Sequence, residues 1–312
     1  MKIADKTIRR NGMTRVEIPI ARLPSNTPID MVAHVYRGKE DGPTFLVLGG
    51  VHGDEVNGIE IVKRAQQQKL YSKLKKGTVI SIPLLNVYGF INFSRGLPDG
   101  KDVNRSFPGS RNGSLASRVA NTLTKYILPH VDFAIDFHTG GASIYNYPQS
   151  RVAKDDPEAI KLAHEFGMPH MILGGLISKS LRKTASNKGI PMVVFEGGES
   201  LRMDEFSIKA GINGIKRVLI SRGMIDGVVE DVHEVVLHSN SWIRAQRSGM
   251  LKCLKVSGDY VMKGEVLGTI SGPYGRFEVN VKAKKTGMIF GHNNKPVVSQ
   301  GDAIFHIGHE AD

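Results

Sequence analysis

An α/β fold followed by a smaller all-β part is what this 312-residue chain predicts. Three observations point there. Up to about residue 234, β-branched runs alternate with stretches of helical periodicity, the pattern of helices packed against a largely buried sheet. Several of the apolar runs end in glycine turns that carry His or Glu. Beyond Glu234 helical periodicity stops, and short strands are punctuated by glycine. Residues 1–234 therefore read as one domain and residues 235–312 as a second.

Taken in order, alternation predicts strands over Thr14–Ile20 and Met31–Tyr36, then a buried strand over Thr44–Leu48. The last runs into Gly49-Gly50-Val51-His52-Gly53. A helix follows over Glu55–Lys75, with Ile59, Val62 and Ala65 at helical spacing and Gly77 closing it. Val79–Leu84 reads as a strand, Leu115–Leu128 as a helix and Val131–Phe137 as a buried strand. Helices are expected over Pro157–Phe166, Ser180–Lys188 and Asp204–Arg222, with a short buried strand at Met192–Phe195.

In the C-terminal part, Val261–Ile270 and Val298–Ile307 form a weak internal repeat, with Gly249-Met250 and Gly287-Met288 ahead of the two copies. Such duplication resembles the two halves of a biotinyl/lipoyl-type β-sandwich. Carrier domains of that type hold a modified lysine on the hairpin between the halves. Here the hairpin reads Gly272-Pro273-Tyr274-Gly275-Arg276, without a lysine. A packing or site-covering role is expected in place of a carrier one.

Composition narrows the class. Hydrophobic residues at 40% and charged residues at 23% are those of a globular protein. No apolar run reaches the ~18 residues of a membrane helix, and the N-terminus lacks the apolar core of a signal peptide. Cys253 is the only cysteine, so a metal site must use nitrogen and oxygen ligands. A cytoplasmic protein is expected. The net charge of +12 is spread along the chain, with short clusters at Lys73, Lys75 and Lys76 and at Lys282, Lys284 and Lys285. Neither is interleaved with aromatics, so neither nucleic acid nor membrane is expected as a partner. A solvated surface or an acidic small molecule accounts for the charge, and homo-oligomerisation is left open.

Four segments carry chemistry. His52-Gly53-Asp54-Glu55 sets an imidazole and a carboxylate three apart at a strand-to-helix turn, where both can converge on one zinc; the bland alternative is a helix-capping acid beside a turn histidine. His138 stands at the end of a buried strand before Thr139-Gly140-Gly141 and supplies a third ligand; its alternative is a hydrogen-bonded edge histidine. Glu196 leaves another apolar strand into two glycines, where a carboxylate is costly to desolvate without a task. Beside zinc-bound water it can act as general base and then acid. Glu199 is its rival, read as solvated. Arg95 and Asp102-Val103-Asn104-Arg105 offer groups for a substrate carboxylate or an oxyanion, although loop arginines are more often plain surface.

His52-x-x-Glu55, Asp102-Val103-Asn104-Arg105, His138 and Glu196, in this order, resemble the zinc carboxypeptidase fold, in its succinylglutamate desuccinylase/aspartoacylase branch. The resemblance spans about Thr44–Met224 and implies a three-layer sandwich around a mixed sheet. It implies one Zn2+ per chain held by His52, Glu55 and His138, with Asp102 orienting the His52 ring. Glu196 becomes the acid/base and Arg95 the group polarising the scissile carbonyl. Asn104 and Arg105 become the grip on a substrate carboxylate. The Arg95-to-Asn104 spacing is lengthened here by Gly-Leu-Pro-Asp-Gly-Lys. Peptidase relatives also use a tyrosine over the substrate, for which Tyr274 is the candidate and Tyr145 and Tyr147 its competitors. The expected activity is amide hydrolysis of an N-acyl amino acid or related small N-acylated amine. A metallocarboxypeptidase acting on short peptides and a non-catalytic metal-binding protein with a β-sandwich interaction module are the alternatives.

Overall fold

The computed structural model describes residues 1–311. A short ribbon, β1 (Lys2–Ile3) and β2 (Lys6–Thr7), precedes the main sheet. The α/β part then runs β3 (Gly12–Arg22), β4 (Pro28–Arg37), β5 (Glu40–Gly49), α1 (Val56–Gln67), β6 (Lys76–Ile82), α2 (Val87–Ile91), α3 (Leu115–Tyr126), β7 (Phe133–Gly140) and β8 (Ile144–Ala153). It continues with α4 (Pro157–Phe166), β9 (His170–Gly174), α5 (Leu181–Ser186), β10 (Met192–Glu199) and α6 (Glu205–Ser221). The C-terminal part is all strand: β11 (Val235–Leu237), β12 (Ser239–Arg244), β13 (Gly249–Cys253), β14 (Tyr260–Val261), β15 (Val266–Ser271), β16 (Glu278–Lys282), β17 (Gly287–Asn293), β18 (Val297–Val298) and β19 (Ala303–His309).

One mixed sheet of 13 strands follows the order β12-β19-β17-β8-β10-β7-β5-β6-β4-β3, with β9, β11 and β14 branching from it. Strands β6, β5, β7 and β10 are parallel neighbours; β8, β4 and β3 flank them antiparallel. Side chains alternate between the faces of these central strands. Leu46, Leu48, Ile80, Ile82 and Ala134 pack on one side with Ala116, Val119 and Leu123 of α3. Phe45, Val47, Val79, Phe133 and Ile135 pack on the other with Ile61, Val62 and residues of α4 and α6. Three layers result, and burial of each large apolar side chain stabilises them by roughly 1.5–3 kcal/mol.

The C-terminal part has its own core, including Val261, Leu267, Ile270, Val298, Ile304 and Ile307. Its two repeat copies fold alike. Gly264 N donates to Ala283 O at 2.8 Å and Gly301 N to Ala245 O at 2.9 Å. Glu265 and Asp302 accept at 2.9 Å from the backbone three residues earlier. Pairing is exchanged between copies, since β13 pairs with β18 and β17 with β14. This region is not detached: β17 pairs with β8 over Gly291↔Asn146, and β11 with β9.

Several boundaries differ from the sequence reading. The helix expected over Glu55–Lys75 ends at Gln67, because Lys69 turns left-handed (φ 56°) and folds Leu70, Tyr71 and Leu74 into the helix-side core. Gly77 consequently lies within β6. The strands expected to stop at Phe137 and Phe195 continue to Gly140 and Glu199, so His138 and Glu196 sit inside strands. Strands β8 and β9 have no clear sequence signature. Pro148 interrupts β8, and it falls where that strand passes from pairing with β17 to pairing with β9, so its missing N–H breaks no ladder bond.

Candidate metal and active site

The C-terminal ends of β5, β7 and β10 open on one side of the sheet, where parallel α/β sheets gather their ligands. After β5 the chain makes the turn holding His52 and enters α1 with Glu55 at the N-cap. Gly53 is needed there, since a Cβ would lie 1.9 Å from Gly89 C. Glu55 makes no capping bond; its carboxylate turns inward instead, which removes the helix-capping alternative.

His52, Glu55 and His138 are 2%, 1% and 3% exposed, so this is a buried polar cluster that needs an explanation. His52 Nδ1 lies 2.8 Å from Glu55 Oε1, His138 Nδ1 2.8 Å from Glu55 Oε2, and the two Nδ1 atoms are 3.1 Å apart. Each ring's other nitrogen faces a carboxylate, His52 Nε2 meeting Asp102 Oδ1 at 3.1 Å and His138 Nε2 meeting Asp136 Oδ2 at 2.8 Å. Those carboxylates are placed to accept the Nε2 protons, which leaves both Nδ1 atoms to converge with Glu55 on one cation, a proton or a metal ion. The donor set fits a divalent metal.

The field agrees. Burial opposes charge on His138, yet Asp136 and Glu55 outweigh it and raise its pKa well above the usual imidazole value. Burial likewise works against the Glu55 carboxylate, but the two histidines hold its pKa well below the ordinary range.

Arg95 reaches this centre. Its Nη1 donates to Glu55 Oε1 at 3.0 Å, and its Nε and Nη2 to Asp102 Oδ2 at 3.2 and 3.1 Å. The inserted residues 96–101 close on themselves, with Leu97 N donating to Lys101 O, so the longer spacing leaves Arg95 and Asp102 side by side. Asp102 also accepts from Asn104 N at 2.6 Å. Asn104 Oδ1 accepts from Leu181 N at 2.9 Å, and Arg105 Nη1 donates to Asn104 O at 2.7 Å.

Glu196 is paired directly with His138 across the parallel strands β10 and β7, so both side chains face the same way. Asn146 Nδ2 donates to Glu196 Oε2 at 2.9 Å, and Arg151 Nη1 lies 3.4 Å from Oε1. Gly198 (φ 79°) marks an irregularity in the strand after Glu196. Glu199, read from sequence as solvated, is 6% exposed and accepts from Asn294 Nδ2 at 2.7 Å. Burial and that bond, made possible by the C-terminal region folding over β10, correct the expectation.

A cavity of about 370 Å³ is lined by His52, Glu55, Arg95, Asn104, Arg105, His138 and Glu196, so seven residues singled out from sequence come together. Asp102 stands behind them. Tyr274 does not join: it is 86% exposed at the turn between β15 and β16. Tyr145 and Tyr147 are also outside the lining, because on β8 they alternate with Ile144 and Asn146, which do face the cavity. Their rings pack on His292 and on His170 and Phe206.

Sequence reasoning missed Asn146, Arg151, Arg182, Trp242 and His306, all in the cavity wall. Arg151 Nε and Arg182 Nη1 are buried without a hydrogen-bond partner. Trp242 and His306 come from the C-terminal strands. One signal was available for His306: it stands where the other repeat copy has Thr269.

Comparison with known proteins agrees with this geometry. Residues 41–222 match the family described as the succinylglutamate desuccinylase/aspartoacylase catalytic domain. N-alpha-acetyl-L-2,4-diaminobutyric acid deacetylase of Halomonas elongata is 28% identical over 93% of this chain and 89% of its own. A succinylglutamate desuccinylase/aspartoacylase structure from Rhodobacter sphaeroides superposes with TM-score 0.88 at 25% identity, covering 100% of both chains. The product-bound ectoine utilization protein EutE (DoeB) from Ruegeria pomeroyi shares the fold, with TM-score 0.86, 22% identity and 97% of each chain covered.

Proposed function

The chain belongs to the succinylglutamate desuccinylase/aspartoacylase family, and we propose that within it the protein is a zinc-dependent hydrolase of N-acyl amino acids or related small N-acylated amines. The observation that carries this reading is the register of β7 and β10, which sets Glu196 beside His138 in the cavity. A non-catalytic metal site has no need of that acid.

His52 Nδ1, His138 Nδ1 and the Glu55 carboxylate would hold the zinc, and Asp102 and Asp136 would fix the ring orientations. When bound, the ion supplies Lewis acidity toward a carbonyl oxygen and acidifies water to a pKa near ~7. Glu196 takes the proton of the attacking water and delivers it to the departing amine nitrogen, leaving a carboxylate and a free amine. Asn146 and Arg151 hold its carboxylate toward the cavity. Arg95 faces the developing oxyanion.

Arg105 and Asn104 grip a substrate carboxylate, and the cationic lining with Arg151 and Arg182 favours an acidic ligand. The cavity is of small-molecule size, and the C-terminal strands cover it, which suits a small amide better than an extended peptide. Residues 235–312 act in this reading as a biotinyl/lipoyl-like sandwich turned from carrier to cover. A cytoplasmic setting suits the lone, part-buried Cys253.

A panel of N-acyl amino acids and dipeptides, offered to protein of measured metal content, tests the proposal. About one zinc per chain and free amine from an N-acyl amino acid are expected. Cleavage of dipeptides alone would make the protein a metallocarboxypeptidase. Bound zinc without turnover of either class would make the site non-catalytic.

A further inference from the structure

Across the sheet the cavity has a direction. Asn104 and Arg105 stand on the segment between α2 and α3, beyond β6; the metal ligands follow at β5 and β7, Glu196 on β10, Asn146 and Arg151 on β8, and finally His306 on β19 and Trp242 on β12. An N-acyl amino acid gripped by its carboxylate at the first end, with its amide at the ligand set, has its acyl chain directed to the last. We infer that Trp242, backed by His306, is the specificity-determining wall that limits the length of the acyl chain. The inference rests on the functional reading above.

The wall is built to be stiff. Trp242 and His306 are directly paired across β12 and β19, and their rings stack at 4.0 Å with 17° between planes. The imidazole also meets the Phe290 ring, 4.1 Å between centroids and tilted by 44°. His306 Nε2 lies 2.9 Å from Asn240 Oδ1, which fixes the ring within its plane. Burial and the charge of Arg151 keep this imidazole neutral at physiological pH. The stacked Trp242–His306 pair, with Phe290 tilted behind the imidazole, thus closes the cavity with a plate of rings that has few rotamers to yield. A chain too long by one or two methylenes must displace the whole stack.

The test compares kcat/KM for N-acetyl, N-butyryl and N-hexanoyl forms of one amino acid. The variants are Trp242→Ala and Trp242→Phe, each checked for parent-like melting and zinc content. The hexanoyl-to-acetyl ratio should rise by about 10-fold or more in Trp242→Ala, the scale of discrimination that a methylene or two supplies against an apolar wall. Trp242→Phe, which keeps a plate on His306, should move the ratio less. An unchanged ratio in Trp242→Ala overturns the inference; if that variant does not fold, the Phe variant and the next measurement decide.

Trp242 is the chain's only tryptophan, so its fluorescence reports binding without turnover. In zinc-loaded parent protein, acetate and butyrate should perturb the emission and hexanoate should do so only at much higher concentration. No response to any of the three overturns the wall assignment. If the parent hydrolyses no N-acyl amino acid, the functional reading falls, and the fluorescence series still decides the wall by itself.

Discussion

His138, at the metal-ligand end of the cavity, and His306, at its aromatic end, are both largely withdrawn from water, yet they are driven in opposite directions. Burial opposes the charged form of each. At His138 the carboxylates of Asp136 and Glu55 reverse that effect. At His306 Arg151 adds to it, and the pKa falls to about 3. One imidazole sits where a cation is wanted, the other where a cation is rejected and a ring serves as a plate. The difference teaches how one cavity can give two imidazoles opposite tasks: carboxylates surround the one beside the ligand set, and a guanidinium and aromatic rings surround the other.

The strongest way to break that division is at Glu196, which stands between the two ends. Glu196→Gln keeps the shape and can still meet Asn146, but it cannot take a proton. Turnover should fall by roughly 10²–10⁴-fold, while zinc content stays that of the parent. Near-parental turnover would mean that another group moves the proton and that the middle of the cavity has been misread.

A smaller effect is expected at the carboxylate behind His138. Asp136 is 1% exposed, and its Oδ2 fixes the His138 ring. Asp136→Asn preserves an acceptor but removes the charge that favours a cation. Zinc affinity should drop by about 10–100-fold, measured by competition with a chelator. Unchanged affinity would show that Glu55 alone sets the field at this end.

The two ends were unequally legible in the sequence. His52, Glu55, His138 and Glu196 lie near glycine turns at the ends of strongly apolar runs, so local pattern announces both the strand and the departure from it. Asp102, Asn104 and Arg105 fall within one run of four residues and could be read together. The aromatic end is made by register instead. Trp242 meets His306 only because β12 and β19 pair at those residues, and both reach the cavity only because β17 docks on β8. No spacing along the chain encodes that docking. For the same reason Tyr274 misled: the hairpin between the repeat halves is conspicuous in sequence but belongs to the sheet of β13, β15, β16 and β18, away from the site. Arg151 was hidden because Pro148 obscured the strand that carries it.

The gentlest test of the comparison is in stability against pH. His306 titrates near 6.5 when unfolded and at about 3 in the fold; His170, 5% exposed against Tyr147, is lowered from the same value to about 4 by burial. Between those limits the unfolded chain binds more protons than the folded one, so stability rises with pH there. The contribution is therefore complete above about pH 6.5 and is lost as the pH falls toward the folded values. Each group can account for at most about 1.4 kcal/mol per pH unit. His306→Gln retains a partner for Asn240 and removes the titration, and His170→Gln removes the titration at the second position. The metal ligands also titrate in acid, but they do so equally in parent and variant, so the difference between them isolates the one imidazole. Melting temperatures taken from pH 7 to 4.5 should fall less steeply in each variant, by a few degrees over that range, with the two additive because no contact links them. Parallel curves for parent and His306→Gln would mean that this imidazole is charged in the fold, and the contrast between the two ends of the cavity would then be lost.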